Sequence, residues 1–299
     1  MNEQNEVARF VQKIAFLGTG SMAGAILRGL LESPVSVGEI VATVRSAEGA
    51  AKLQDMSGRV SILQSGSNPE ANREASRDAT IIFLGVKPAQ VPELLEEISP
   101  VLSPDTIVVS LAAGVTTASC EAALLPKFQP AIFPPLPPQV HAIVRAMPNT
   151  PALIGQAMTG LAAGSAVSAE QLLLIQDLFE TVGRVLVLPE SKIDALSAIS
   201  GSGPAYVYYA IEEFTRAGIE LGFNEEEASL LVGQTFLGAV NLLDHTGKTA
   251  AELRTQVTSP KGTTEQALRV LAEAGLEQTF VEAARAAIAR AEELASGKA

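Results

Sequence analysis

A run of small residues near the start of the chain has the spacing of a phosphate-binding turn. Gly18, Gly20 and Ala23 follow the apolar residues 14–17, and apolar residues then recur at helical spacing. A strand that turns into a helix presents the helix's first unpaired N–H groups, with their partial positive charge, to a bound phosphate. Gly18 is suited to the tight turn, Gly20 to close approach of a pyrophosphate, and a small third residue to close helix–strand packing. We therefore predict dinucleotide binding rather than an ordinary glycine-rich turn.

The end of the second predicted strand, residues 39–44, indicates which dinucleotide is bound. Enzymes that use NAD normally place Asp or Glu near this point to hold the ribose 2′-hydroxyl. Here the strand is followed by Arg45 and Ser46. A guanidinium binds a phosphate through charge-assisted hydrogen bonds, which contribute roughly 1.5–3 kcal/mol. We expect NADPH as the cofactor, with NADH binding more weakly; the alternative is that Arg45 simply faces solvent.

Polar groups at two later positions are further candidates for ligand contacts. Lys87, next to Pro88, follows the apolar run 80–86 at the carboxyl edge of a strand, where ligands bind in open α/β sheets. It is placed to approach a cofactor phosphate, although a loop lysine is often just solvated. Asn149 lies between Pro148 and Pro151 in a loop that cannot be helical, and its amide is a candidate contact for the nicotinamide.

Two polar loops are predicted in the second half of the chain, each directly before a helix. Residues 258–264 place hydroxyls and free backbone N–H groups at a helix start, which is a potential carboxylate site. In residues 200–205, Pro204 suits the first turn of a helix. Taken alone, each segment is as well explained by helix capping.

The elements that position these residues form two parts. Predicted strands at 80–86, 105–111, 158–163 and 184–188 alternate with helices at 91–102, 118–125 and 169–181, which predicts βαβ units around a parallel sheet. From residue 191 onward only helical periods remain, at 205–221, 225–243, 250–257, 265–273 and 276–294. We therefore expect a nucleotide-binding domain over 1–189 and a helical domain over 190–299.

The helix around 230–243 is apolar on nearly every side and so is expected to be buried. A domain of about 110 residues cannot easily bury such a helix within one chain. This predicts dimerisation through the helical domain.

Composition excludes several classes of protein. The net charge of −12 argues against nucleic-acid binding. The polar N-terminus and the lack of a long apolar stretch argue against a signal peptide and a membrane span. The single Cys120 fits a reducing cytoplasm, and His141 and His245 match no zinc spacing, so no metal is expected. Residues 126–140, with six prolines, are predicted to be an extended surface loop.

Together these motifs resemble pyrroline-5-carboxylate reductase, the enzyme of the last step of proline biosynthesis, over nearly the whole chain. The resemblance rests on segments of both halves: 18–23, 86–88, 110–115, 147–151, 200–205 and 258–264. It implies a Rossmann-type domain followed by an all-α dimerisation domain. It also implies a cytoplasmic oxidoreductase that reduces 1-pyrroline-5-carboxylate to L-proline. The family forms homodimers that can assemble into decamers.

The resemblance also implies roles for individual residues. Pyrophosphate contacts are expected at Gly18, Thr19, Gly20, Ser21 and Met22, 2′-phosphate contacts at Arg45 and Ser46, and a ribose contact at Asn68. Val86 and Lys87 would lie beside the adenosine, and Ala112 and Ala113 along the cofactor groove. Ser259, Gly262 and Thr263 would bind the substrate carboxylate, and the hydroxyl of Thr264 would face the ring nitrogen.

The chain departs from the family pattern at three places: Ala23 and Lys261 each replace a common glycine, and the segment 126–140 is longer than expected. A second enzyme class, the β-hydroxyacid dehydrogenases and imine reductases, shares the two-domain plan. Its members generally use a lysine or aspartate on an interdomain helix, where this chain offers only Lys192 and Asp194. A non-catalytic NADPH sensor is the third possibility. A serine hydrolase is poorly supported because residues 200–203 do not form a nucleophile elbow.

Overall fold

The computed structural model describes residues 10–33, 35–125 and 140–295. The predicted proline-rich loop therefore lies outside the described residues, except for Val140. Contacts divide the chain into two compact units, with the boundary between Gly201 and Ser202; the end of the chain from Ile288 groups with the first unit.

The first unit is built on one sheet of eight strands in the order β3-β2-β1-β4-β5-β6-β7-β8. The strands are β1 (Val11–Leu17), β2 (Val37–Val44), β3 (Ser61–Gln64), β4 (Ile81–Leu84), β5 (Ile107–Ser110), β6 (Ala142–Met147), β7 (Ala157–Ala163) and β8 (Gly183–Val187). Every residue of β4, β5 and β6 is buried, which explains why these strands are mostly apolar rather than alternating; Arg145 of β6 is the charged exception. The Rossmann-type prediction is confirmed.

The sheet is not wholly parallel, and this corrects the prediction. Strands β1 to β6 run parallel, but β7 pairs with β6 antiparallel, and β8 runs parallel to β7. The connection between β6 and β7 holds only residues 148–156, with one short 3₁₀ turn at Thr150–Ile154. A parallel crossover needs a dozen or more residues, so this short connection reverses the chain.

Helices cover both faces of the sheet. They are α1 (Ser21–Glu32), α2 (Ala47–Ala51), α3 (Ala71–Ser76), α4 (Val91–Ile98), α5 (Thr117–Leu124), α6 (Ala169–Glu180) and α7 (Ile193–Leu196). Two apolar clusters lie one on each side of the sheet. In the first, the rings of Phe16 and Phe83 stack with centroids 4.7 Å apart, and Phe179 of α6 meets Phe83 edge-on. This packing fixes the end of β1 and therefore the turn that follows it.

The second part of the chain is helical, as predicted. Its helices are α8 (Gly203–Glu220), α9 (Glu225–Thr246), α10 (Ala250–Gln256), α11 (Thr263–Glu273) and α12 (Leu276–Ala295). Asn224 caps α9 by accepting a hydrogen bond from the N–H of Glu227. None of the helices in the described ranges is long and apolar enough to cross a membrane.

The predicted loop at 200–205 is wrong. Ser197–Gly201 forms a π-helical turn, and Ser202 alone separates it from α8. The hydroxyl of Ser200 donates to the carbonyl of Leu196, and its own carbonyl accepts from Asn149. These bonds hold the polar segment in helical form. A π-turn inside a helical segment often marks a functional site.

The apolar helix α9 is not buried within the protomer. Leu230 is 70% exposed and Val240 61%, while Val232 is 5% exposed. Residues of this kind seldom form a large free surface in a soluble protein, and such patches mark interaction sites. The expected burial is therefore absent from the single chain.

Candidate functional site

A cleft of about 610 Å³ lies at the carboxyl ends of β1, β2 and β4. This volume is within the range of small-molecule sites. Seven of the thirteen predicted cofactor residues line it: Gly18, Thr19, Gly20, Arg45, Ser46, Val86 and Lys87. The other six do not: Ser21, Met22, Asn68, Ala112, Ala113 and Asn149.

The glycine turn at the base of this cleft has the geometry that phosphate binding requires. Gly18 has a φ of +78°, and a Cβ there would lie 2.5 Å from Cγ1 of Val86. At Gly20, by contrast, a Cβ would meet nothing within 4 Å. Helix α1 begins directly after Gly20 without a side-chain cap, so its first N–H groups are available to an anion. The turn therefore fits a dinucleotide pyrophosphate.

The third small position of the fingerprint also has a packing reason. Ala23 is 2% exposed, and a Cβ added to Gly85 at the end of β4 would lie 2.8 Å from the Cβ of Ala23. The helix and the strand therefore approach each other closely at this point. Alanine fits in place of the family's common glycine because the facing residue is itself a glycine.

The basic groups of the cleft lie on the turns after β2 and β4, and its acidic groups, Glu93 and Glu97, lie on α4. Arg45 is exposed, and its guanidinium has no hydrogen-bond or ion-pair partner among the described residues. Ser46 caps α2, with its hydroxyl accepting from the N–H of Gly49 at 3.3 Å. Lys87, on the turn after β4, is also exposed. Two cations at an open cleft suit a ligand with phosphates at that end.

The asparagine in the cleft is Asn72, which the sequence analysis missed. Asn68, the predicted ribose contact, does not line the cleft; its Oδ1 accepts from the N–H of Glu70 and its Nδ2 donates to Glu74. An Asn before a proline commonly bonds to the backbone two residues on, and this signal pointed to a turn at Asn68. Its cofactor contact stays a prediction.

Asn149 is buried, and both sides of its amide are used within the first unit. Its Nδ2 donates to the carbonyl of Ser200 at 3.0 Å, and its Oδ1 accepts from the N–H of Met158 at 2.9 Å. Asn149 thus joins the loop after β6 to β7 and to the π-turn. The predicted contact between Asn149 and the nicotinamide stays a prediction.

A buried arginine is paired with two partly exposed acids near the start of α7. Arg145, on β6, is 1% exposed; its Nη2 lies 2.5 Å from Oδ1 of Asp194, and its Nη1 lies 3.7 Å from Oε1 of Glu190. Glu190 also accepts from both the N–H and the hydroxyl of Thr117 at the start of α5. Asp194, the acid that the dehydrogenase alternative would need, is therefore committed to balancing a buried cation.

The predicted substrate segment lies in the second unit, directly before α11. The N–H of Gly262 donates to the carbonyl of Ser259 at 3.0 Å, and α11 begins at Thr263 without a side-chain cap. Thr264 is half-buried in the first turn. Lys261 has a φ of +60°, a left-handed conformation that glycine adopts at lower cost. The N–H of Lys261 donates to Oε2 of Glu265 at 2.7 Å. Carboxylate binding by this segment stays a prediction.

Metal binding has no support in the ranges that the structure describes, where no cluster of His, Cys, Asp or Glu side chains could hold an ion. His141 is 7% exposed, and burial lowers the pKa of its imidazole. Cys120 is a buried thiol whose pKa burial raises to about 11. Neither side chain lines the cleft.

Comparisons with known proteins agree with both halves of this description. Residues 190–294 match the family model for pyrroline-5-carboxylate reductase dimerisation, and residues 13–114 match the model for NADP oxidoreductase, coenzyme F420-dependent. The pyrroline-5-carboxylate reductase of Corynebacterium melassecola is 39% identical over 287 residues, covering 94% of this chain and 98% of that protein. The reductase of Pseudomonas aeruginosa is also 39% identical, covering 95% and 97%.

Solved structures give the same result. A pyrroline-5-carboxylate reductase from Coxiella burnetii superposes with a TM-score of 0.81 at 36% identity, covering 94% of this chain and 97% of that one. A Plasmodium falciparum pyrroline carboxylate reductase with NADP bound superposes with a TM-score of 0.76 at 26% identity, covering 95% and 98%.

Proposed function

The chain belongs to the pyrroline-5-carboxylate reductase family and catalyses the NAD(P)H-dependent reduction of 1-pyrroline-5-carboxylate to L-proline, and we propose how its own residues do so. The observation that carries the assignment of residues is the cleft after β1, β2 and β4. There the turn, open at Gly20, lines the same cleft as Arg45, whose guanidinium has no partner in the part of the chain that the structure describes. Residues 1–189 make up the proposed nucleotide domain and 190–299 the proposed helical domain.

The proposed cofactor site uses the cleft from one end to the other. The N–H groups at the start of α1 bind the pyrophosphate, and Arg45 and Ser46 bind the 2′-phosphate that distinguishes NADPH from NADH. Lys87 and Val86 lie beside the adenosine. When bound, the reduced nicotinamide supplies a hydride.

The proposed substrate site is the segment before α11. Ser259 and the backbone at Gly262 and Thr263 bind the carboxylate, because an uncapped helix start favours an anion. To donate to the substrate, the N–H of Gly262 has to leave the carbonyl of Ser259. The hydroxyl of Thr264 orients the ring by hydrogen bonding at its nitrogen. An iminium is already a strong electrophile, so the chain needs to hold the ring in place more than it needs to supply a strong acid.

The chain forms a homo-oligomer, and we propose that its basic unit is a dimer joined through the helices of the second part. Exposed apolar residues of α9, such as Leu230 and Val240, support this interface. Because both are exposed in the protomer, replacing each with Glu is expected to give a folded monomer, measured by light scattering. Assembly into decamers stays a prediction from the resemblance, as does a cytoplasmic location.

The decisive experiment is a spectrophotometric assay of NADPH oxidation with 1-pyrroline-5-carboxylate, with NADH as the comparison. Thr264→Ala should lower kcat at least tenfold, as expected for an orienting group in a reduction. The dissociation constant of NADPH should stay within about twofold of wild type, since no bond to the cleft changes. Wild-type kcat in Thr264→Ala would refute the role of Thr264. NADPH binding with no turnover by the wild type would instead favour a non-catalytic sensor.

A further inference from the structure

Three hydrogen bonds join the glycine turn to helix α4 along one side of the cleft. The N–H of Gly18 donates to Oγ1 of Thr43 at 3.0 Å, and this hydroxyl donates to Oδ1 of Asn72 at 2.9 Å. Nδ2 of Asn72 then donates to Oε2 of Glu97 at 3.2 Å. We call these four residues the Thr43 relay. It connects the end of β1 with β2, α3 and α4, which are separate elements of the chain.

The relay determines which way the amide of Asn72 points. A hydroxyl has one proton, and Thr43 receives the Gly18 N–H on its oxygen while it donates that proton to Asn72. Because the carboxylate of Glu97 only accepts, the NH₂ group of Asn72 faces Glu97 and its amide oxygen faces the donating hydroxyl of Thr43. Among the described residues only one of the two Nδ2 hydrogens has an acceptor. The other is free to donate to a ligand in the cleft that Asn72 lines.

The buried groups of the relay are unusual for a purely structural network. Thr43 is 1% exposed, and its carbonyl also accepts from the N–H of Thr19, the next residue of the turn. Oε1 of Glu97 is buried without a hydrogen-bond partner in the described chain. Buried unpaired polar atoms are costly and are concentrated where function requires them.

We propose that Thr43 is a positioning residue for the cofactor, and that it acts through Asn72. With the amide oriented by Thr43 and Glu97, the free N–H of Asn72 points to an oxygen of the adenosine ribose. The same hydroxyl anchors Gly18, so binding at the pyrophosphate and at the ribose depends on one side chain. This inference rests on the proposed NADPH site.

The test is Thr43→Val, which keeps the shape of the side chain and removes the hydroxyl. The dissociation constant of NADPH, measured by the fluorescence of the bound dinucleotide, should rise about tenfold. Without the hydroxyl, neither the N–H of Gly18 nor the amide oxygen of Asn72 is held in place, and the tenfold change corresponds to about 1.4 kcal/mol. Thr43→Ser restores the hydroxyl and should bind within about threefold of wild type.

A matched control separates positioning from stability. Thr106 is also 1% exposed, and its hydroxyl donates to the carbonyl of Ala79 at 2.8 Å, but it does not line the cleft. Thr106→Val makes the same chemical change and should lower Tm without changing the dissociation constant. Thr43→Val should change both. If the two variants lose stability alike and both bind NADPH as wild type does, Thr43 is only structural and the proposal fails.

A double-mutant cycle tests whether Thr43 acts through Asn72. Asn72→Ala should weaken NADPH binding, and Thr43→Val should weaken it little further in that background. Independent, multiplying effects would overturn the relay. If Thr43→Val does not fold, Glu97→Leu removes the other support of Asn72 and should also weaken binding, and an unchanged dissociation constant there would overturn the proposal. Wild-type turnover of 1-pyrroline-5-carboxylate, measured in parallel, shows whether the proposed function itself stands.

Discussion

The two glycines of the phosphate turn should separate binding from folding. Gly20 has a φ of −85°, which any residue adopts, and a Cβ there meets nothing within 4 Å. Gly20→Ala should therefore change the free energy of unfolding by about 0.5 kcal/mol or less. Its methyl group, however, occupies the space through which a pyrophosphate reaches the start of α1.

The expected loss of affinity follows from the bonds that this methyl group blocks. A charge-assisted hydrogen bond contributes about 1.5–3 kcal/mol, so losing one should raise the dissociation constant of NADPH about 10- to 150-fold. Gly18→Ala is the matched comparison. An alanine with a φ of +78° costs about 1–2 kcal/mol. Its Cβ would also lie 2.5 Å from Cγ1 of Val86, so one of the two groups would have to move. Gly18→Ala should therefore lose stability as well as affinity.

The assays are urea unfolding for stability and fluorescence titration for NADPH affinity, both on the full chain. Gly20→Ala is expected to unfold like wild type and bind poorly. A Gly20→Ala protein that binds NADPH with wild-type affinity would refute the placement of the pyrophosphate. One that is destabilised as much as Gly18→Ala would refute the geometry of the turn.

Three further predictions concern single side chains. Arg45→Ala should raise KM for NADPH about tenfold to a hundredfold and leave KM for NADH nearly unchanged, because only NADPH has the 2′-phosphate; an unchanged ratio in a steady-state assay would contradict this role. At Lys261, with its φ of +60°, Lys261→Gly should be about 1 kcal/mol more stable to urea than Lys261→Ala, and equal stabilities would exclude left-handed strain. Burial lowers the pKa of His141, so the unfolded chain takes up a proton at a higher pH than the folded chain does. The free energy of unfolding therefore has its full value above a pH of about 6.5 and declines below it. His141→Gln should reduce this decline in urea unfolding between neutral and mildly acidic pH, and identical pH profiles would rule out His141 as its source.

Short-range patterns in the sequence were sufficient for much of the fold. The apolar runs of β1, β4 and β5 and the helical periods of α8 to α12 are local signals, because burial acts on each segment through its own residue spacing. The glycine turn was also predictable, since its chemistry depends on backbone within a few residues of Gly18. The short, polar β3 and α3 had no comparable signal, and the sequence analysis missed both.

What depends on distant residues was decided only by the tertiary structure. Asn72 lies in the cleft because α3 packs beside β2, where Thr43 is 29 residues away in sequence. Asp194 is paired because β6 buries Arg145 beside it. The reversal of β7 and the exposed apolar face of α9 likewise depend on which neighbours are present. Sequence spacing determines which residues share a face, whereas side-chain partners across the fold depend on how whole elements pack.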